Sequence, residues 1–414
     1  MKKTVGIIIG LSIVLGGVLL FFNTTTHTIP FIGTQLAGTS SQEEGLELHP
    51  ENIMLADGTT FDLNIPKDFS ISVAAEGFKR IRFMAESPDD RLFIADIYDL
   101  NDNTKGKIYI LSDFDSVTHQ YKKVSTYLSE LHNPNSVAFY TDSNGQSWLY
   151  IALTDKLVRY TYTAGDMAPT SLPETLATFP SYGLNYKYGG WHLTRTIAIH
   201  KDKVYVSVGS SCNACEEKPD EIRASIVEMN ADGSAQRLYA TGLRNAVGIK
   251  WVDDTFFATE MGSDHLGVDL PVDKMYEIKD GKNYGWPYCY EENGTILSDT
   301  TQSWKNTFDC TSVPFSFAQF DAHSAPLGFE YFDSDAPKEL RNSFLVALHG
   351  SGEVKINHGY SIVRVSPKGE VTDFITGFLQ NGNRVARPVD ILQKDENSFL
   401  FSDDFGGVLY YVGK

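Results

Sequence analysis

From about Phe69 onward the chain repeats one shape: a short apolar run, an acidic or polar turn, then a second apolar run. Six segments carry it: RFMAESPDDRLFIAD (82–96), SVAFYTDSNGQSWLYIAL (136–153), TIAIHKDKVYVSVGS (196–210), VGIKWVDDTFFATEM (247–261), LGFEYFDSDAPKELRNSFLVAL (327–348) and VDILQKDENSFLFSD (389–403). No long stretch sets apolar residues at helical spacing, and β-branched and aromatic runs between Asp, Gly and Asn turns are the mark of strands. With Phe83, Ser136, Thr196, Val247, Leu327 and Val389 as markers, the spacings are 53, 60, 51, 80 and 62 residues. A small sheet of this kind cannot bury its own faces, so such units stack around an axis. The pattern therefore predicts an all-β, six-bladed β-propeller, with a β-sandwich of look-alike hairpins as the alternative. The interval of 80 residues leaves room for an insertion. Ring closure would pair the last strand, GVLYYVG (407–413), with FSISVAAE (69–76), which removes the open edges that invite aggregation.

Composition narrows the partners. Asp and Glu number 53 against 35 Lys and Arg, a net charge of −18, and 42% of residues are hydrophobic. A chain this apolar can build a core, which excludes intrinsic disorder. Its acidic balance argues against nucleic acid, whose phosphates demand excess Lys and Arg. Ahead of the repeats, Met1-Lys2-Lys3 precedes an uncharged apolar run over 5–22. At about 1.5 Å per residue it spans roughly 27 Å, enough to cross a hydrocarbon core. Residues 1–22 are thus expected to be a single-pass anchor that leaves the rest outside the cytoplasm, or a cleaved signal segment that releases it to the periplasm or medium. Residues 23–66 read as a polar linker and lead-in, and 67–414 as the propeller.

In a propeller, the loops entering the innermost strands converge on the axis at one face. Here they read NPN (133–135), GGWHLTR (189–195), GLRN (242–245), DAHSAP (321–326) and GNRVARP (382–388). Arg195, Arg244, Arg384, Arg387, His192 and His323 share this phase of the repeat. Arginine suits bidentate recognition of carboxylates, so a multiply anionic ligand is the expected occupant; Arg–Asp pairs locking blades together are the plainer reading. The four cysteines, Cys212, Cys215, Cys289 and Cys310, lack the paired spacing of a zinc site. Outside the cytosol, two disulfides are the simplest outcome.

Five segments, GGWHLTRTIAIHKDKVYVSVGSSCNACEE, GLRNAVGIKW, DGKNYGWPYCY, DAHSAPLGFEYF and FLVALHGSGEV, resemble the glucose/sorbosone dehydrogenase family over about Phe69 to Tyr411. The resemblance implies a six-bladed propeller that uses pyrroloquinoline quinone and Ca²⁺ to oxidise an aldose or related sugar and hands electrons to an acceptor it does not identify. By the same resemblance His192 is the general base, and Arg244 with Asn245 lies over the cofactor. An arginine-rich centre including Arg195 would bind the quinone carboxylates, with Arg384 or Arg387 as a clamp from the last blade. Calcium would rest on the backbone carbonyls of Gly262 and Ser263, with Asp264 and Asp269 nearby. The chain departs from the family at HGSGEVKIN (349–357), which has no arginine; Lys355 is the candidate substitute. That departure motivates an alternative function, a cofactor-free extracellular module binding carbohydrate or protein. A calcium-dependent lactone hydrolase would need a ring of acidic ligands at the axis, and the phase positions show Arg and His instead.

Overall fold

The computed structural model describes residues 45–181, 192–217, 222–302 and 308–414. The expected anchor over 1–22 lies outside these residues. Among the described residues, no helix is long and apolar enough to cross a membrane.

Six four-stranded antiparallel sheets follow one another along the chain. Blade 1 is Ile81–Glu86, Leu92–Asp96, Gly106–Asp115 and Gln120–Leu131; blade 2 is Ser136–Thr141, Ser147–Ala152, Lys156–Tyr162 and Glu174–Thr178. Blade 3 is Arg195–His200, Lys203–Val208, Ser225–Asn230 and Arg237–Thr241; blade 4 is Ala246–Val252, Thr255–Glu260, Asp273–Ile278 and Ala318–Phe320. Blade 5 is Pro326–Phe332, Ser343–Leu348, Ser361–Val365 and Val371–Ile375. Blade 6 joins Pro388–Asp395, Ser398–Asp403 and Val408–Gly413 to Ser70–Glu76 from the start of the domain. The six repeated segments are the inner two strands of the six blades, and the ring closes by the pairing expected from sequence, with Ser70 opposite Gly413 and Glu76 opposite Val408.

Each first strand touches the first strand of the next blade, and blade 6 returns to blade 1. In blades 1, 4, 5 and 6 the first strand slips register between Ile81 and Met84, Ala246 and Ile249, Pro326 and Phe329, and Pro388 and Ile391. A bulge re-aims a side chain and sharpens the local bend. Here the bulges contain Phe83, Val247, Leu327 and Val389, which pack together as one apolar cluster. Strands approach so closely there that a Cβ on Gly248 would fall 2.1 Å from the Leu327 carbonyl oxygen.

Among the described residues, three two-stranded hairpins lie outside the six blades; one of them pairs Leu379–Gln380 with Asn383–Arg384 in the stretch leading to blade 6. The insertion after Ile278 contains the hairpin Cys289–Glu292 and Thr295–Ser298, and a Cys289–Cys310 disulfide ties its two ends. The expected linker over 23–66 is corrected in its described part: Leu48–Met54 and Thr60–Pro66 form an antiparallel hairpin. Alternation in TFDLNIP puts Phe61, Leu63 and Ile65 on one face, where they join Phe332, Phe374, Phe399 and Phe401 in one core. Asn64 exchanges two backbone hydrogen bonds with Thr376, at 2.9 and 3.0 Å, which extends the folded body to this hairpin.

Candidate functional site

Antiparallel pairing places the start of each first strand beside the end of each second strand. A cavity of about 240 Å³ opens among these ends and is lined by residues such as Arg82, Asn133, His192, Asn245, Met261 and His349. Ile97, Val247 and Leu327 add apolar walls. Three entry loops turn through left-handed residues on the way in: Asn133 (φ 40°), His192 (φ 74°) and His323 (φ 65°). Such backbone is costly for a histidine and persists only where its surroundings hold it.

The other three entry loops, those of blades 1, 4 and 6, are fastened by acids at the ends of second strands. Asp96 accepts from the backbone N–H of Lys79 and Arg80, both at 2.9 Å. Glu260 accepts from Arg244 N–H at 2.5 Å and Asn245 N–H at 3.3 Å, and Asp403 from Arg387 N–H at 2.8 Å. Each carboxylate therefore fastens the loop entering its own blade. The signal was present in the segments FIAD, FATE and FSD, each an apolar strand ending on an acid, but their common position gains meaning only when the hairpin folds.

His192 directs Nδ1 to the Ser210 carbonyl oxygen at 2.9 Å. A carbonyl only accepts, so Nδ1 carries the proton and Nε2 is the acceptor. Among the described residues Nε2 has no hydrogen-bond partner. Burial, and next the positive charge of Arg244, hold the imidazole well below its usual range, against the hydrogen bond it donates to the Ser210 carbonyl. Gly209 makes this packing possible: a Cβ there would fall 2.5 Å from His192 Cβ and 2.4 Å from Asn245 Oδ1. His192 and Asn245 are thus adjacent at the cavity wall.

The four arginines singled out in the sequence sit in loops around this end of the blades without lining the cavity, and most of their donors are committed. Arg195 is 1% exposed and donates to the carbonyls of His192, Thr194 and Pro180 at 2.6, 2.9 and 3.1 Å; it does not line the cavity, and it braces the loop that carries His192. Arg244 donates from Nε to the Asn213 carbonyl at 2.9 Å and from Nη2 to Asp264 at 2.8 Å. Arg384 and Arg387 hold carbonyls in the loop after the second strand of blade 5, Gly352 and Gly350 at 2.5 Å each. Lys355 is exposed and makes no ion pair among the described residues. His323 bonds Asp264 at 3.2 Å and the Gly267 carbonyl at 2.8 Å.

Arg82 is the cavity arginine that sequence reasoning missed, although FKRIR (78–82) occupies the same phase as the other entry loops. Its Nε donates to Asn135 Oδ1 and its Nη1 to Asp404 Oδ2, both at 3.0 Å. Asp404 is fully buried and also takes a 2.7 Å hydrogen bond from His349 Nε2. Burial, and after it the Arg387 charge, pushes His349 down to about 3. Both cavity histidines therefore register positive charge around this space.

These features bear on an anionic quinone. Arg82 Nη2 and Arg244 Nη1 have no hydrogen-bond partner among the described residues, the cavity has apolar walls, and two neutral imidazoles face it. That donor set fits a flat, carboxylate-bearing aromatic group. For calcium, the Gly262 and Ser263 carbonyls accept no hydrogen bond among the described residues, and hard cations prefer such oxygens. These two residues line a smaller neighbouring cavity of about 30 Å³, with Glu260, Lys274 and Asp299. Asp264 is engaged by Arg244 and His323, and Asp269 is exposed. The cysteines form two disulfides, Cys212–Cys215 and Cys289–Cys310.

A model of the family described as TrAA12-like matches residues 63–405. An uncharacterized protein of Borreliella burgdorferi is 28% identical over 224 residues, 51% of this chain and 57% of that protein. The matched stretch thus spans little more than half the length of that curated relative. Among solved structures, the holo PQQ domain of pyranose dehydrogenase from Coprinopsis cinerea superposes with TM-score 0.66 at 18% identity, covering 85% of this chain and 97% of that one. The calcium structure of the Trichoderma reesei family AA12 enzyme gives 0.67 at 17%, covering 84% and 96%. The soluble aldose sugar dehydrogenase of Escherichia coli, in apo form, gives 0.58 at 13%, covering 83% and 99%. At these identities the likeness is one of fold.

Proposed function

The chain belongs to the TrAA12-like family, and from that premise we propose that it is a quinoprotein dehydrogenase that oxidises an aldose or related sugar. The observation that carries this reading is His192: a neutral imidazole whose Nε2 has no partner among the described residues, on a cavity that Arg82 lines and within reach of the Arg244 charge. Titles of structures with the same fold support it, since they name a PQQ domain of a pyranose dehydrogenase and an aldose sugar dehydrogenase.

Pyrroloquinoline quinone, when bound, supplies the acceptor for the hydride that leaves the sugar carbon. The chain's own part is binding, orientation and proton handling. His192 Nε2 takes the proton from the sugar hydroxyl, which a base must do as the C–H bond breaks. The Nδ1 proton stays on the ring and is donated to the Ser210 carbonyl oxygen, so the tautomer is set before substrate arrives. Asn245 and the free guanidinium edges of Arg82 and Arg244 would hold the cofactor. Arg195, Arg384 and Arg387 act through the loops they brace, and Gly262 and Ser263 would offer carbonyls to calcium. Two disulfides in one domain support a location outside the cytoplasm, with residues 1–22 as membrane anchor or signal.

The test is titration of the purified protein with pyrroloquinoline quinone and Ca²⁺, followed by dye reduction with a panel of aldoses. Saturable binding and sugar-dependent reduction are expected. No saturable binding would overturn the dehydrogenase reading and favour a binding module.

A further inference from the structure

The Cys212–Cys215 disulfide closes a ring of four residues that has no place in the proton chemistry above. One residue inside it, Asn213, is bonded to three separate segments of the neighbouring blade. Its carbonyl oxygen accepts from Arg244 Nε at 2.9 Å and from Trp286 Nε1 at 3.2 Å. Its side-chain Oδ1 accepts from Arg244 Nη2 at 2.8 Å and from the backbone N–H of Asp264 at 2.9 Å. Arg244 enters the first strand of blade 4, Asp264 follows the second, and Trp286 belongs to the insertion.

The ring is also joined to the candidate base. Ser210 Oγ donates to the Cys212 carbonyl at 2.6 Å, while the Ser210 carbonyl accepts from His192 Nδ1 at 2.9 Å. Ser210 N–H donates in turn to the Arg244 carbonyl at 2.7 Å. A continuous chain of hydrogen bonds therefore runs from His192 through Ser210 and the disulfide ring to Arg244 and the loop of Gly262 to Asp264. The closed ring restricts the backbone that links these loops, so the acceptors on Asn213 keep one position.

We propose that Asn213, presented by the Cys212–Cys215 ring, is a positioning residue that sets the Arg244 guanidinium and the Gly262–Asp264 loop for cofactor binding. The proposal rests on the dehydrogenase reading for its functional half only. Its structural half concerns two acceptor atoms and can be read without any cofactor.

The test compares wild type, Asn213→Ala, Asn213→Asp and the double substitution Cys212→Ser with Cys215→Ser. Hydrogen exchange of a peptide covering 260–267 is measured in cofactor-free protein, and pyrroloquinoline quinone affinity is measured separately. Asn213→Ala removes Oδ1, so exchange at Asp264 should quicken about tenfold and cofactor affinity should fall about tenfold, the usual scale for a lost charge-assisted hydrogen bond. Asn213→Asp keeps the acceptor and should restore both. Opening the ring should reproduce the alanine phenotype while the Cys289–Cys310 bridge stays intact. Unchanged exchange in Asn213→Ala overturns the inference whatever the cofactor result. Faster exchange with unchanged cofactor affinity overturns its functional half. Wild-type protein that binds no quinone overturns the dehydrogenase reading and that half together, and the exchange arm still decides the structural one.

Discussion

His192 Nδ1 meets Ser210 at two atoms, the carbonyl oxygen at 2.9 Å and Oγ at 3.0 Å. The carbonyl can only accept and Oγ gives its own proton to the Cys212 carbonyl, so Nδ1 is the donor and Nε2 the nitrogen that can accept a proton. No carboxylate takes this place, so a neutral oxygen orients the ring and adds no charge to hold a proton on it. Replacing His192 by Gln should lower kcat by about 10²–10⁴-fold, the usual share of a general base, with cofactor affinity nearly kept. Single-turnover kinetics would separate the two.

The same surroundings predict the pH profile. Burial and the Arg244 charge keep His192 neutral below its usual 6.5, so the acidic limb of kcat/KM should lie below pH 6.5. Arg244→Met removes the second of these causes. The His192 pKa then rises and the acidic limb moves to higher pH; a limb that stays put would refute this electrostatic coupling.

Asp404 is buried without access to solvent and held by Arg82 at 3.0 Å, His349 at 2.7 Å and Arg80 at 3.4 Å. Taking one partner from such a group strands a charge in a low dielectric. Arg82→Met should cost about 3–5 kcal/mol in urea unfolding. Arg82→Met with Asp404→Asn together should cost less than Arg82→Met alone.

His349 adds a pH-dependent term. Its folded-state pKa lies near 3, against an ordinary 6.5. The unfolded chain takes up a proton below about pH 6.5 that the folded protein refuses until about pH 3. Stability from this residue is therefore complete above pH 6.5 and declines as pH falls, by about 1.4 kcal/mol per unit at the steepest. His349→Gln should flatten the difference in unfolding free energy between pH 6 and 4.

The Cys289–Cys310 bridge spans 21 residues of sequence. The chain-entropy model gives such a loop about 3 kcal/mol. Replacing both cysteines by serine should lower the melting temperature, while the propeller, whose blades hydrogen-bond without this insertion, should still fold.

The architecture was legible because it depends on local pattern. Short apolar runs with acidic turns specify hairpins, and their spacing specifies how many. The marker residues Phe83, Val247, Leu327 and Val389 even proved to be neighbours in space. The hairpin over Leu48–Pro66 escaped notice because its alternation is brief and set among polar residues. The bulges also stayed hidden, since one extra residue in a strand leaves no mark in composition.

The site was legible only by phase. Sequence alone could place His192, Arg244 and Asn245 at one end of the blades, because antiparallel strands repeat their ends. It could not tell a guanidinium that reaches the cavity from one spent on carbonyls, and Arg195, 1% exposed, is of the second kind. Nor could it find Arg82, Asp404 and His349 as one network, since Arg82 and Asp404 are 322 residues apart. Sequence determined the inner hairpins, the number of blades and the closure of the ring, all of which follow from local side-chain alternation. Tertiary structure alone decided which charged groups face the cavity, because burial and hydrogen-bond partners arise only when six distant loops arrive at one axis.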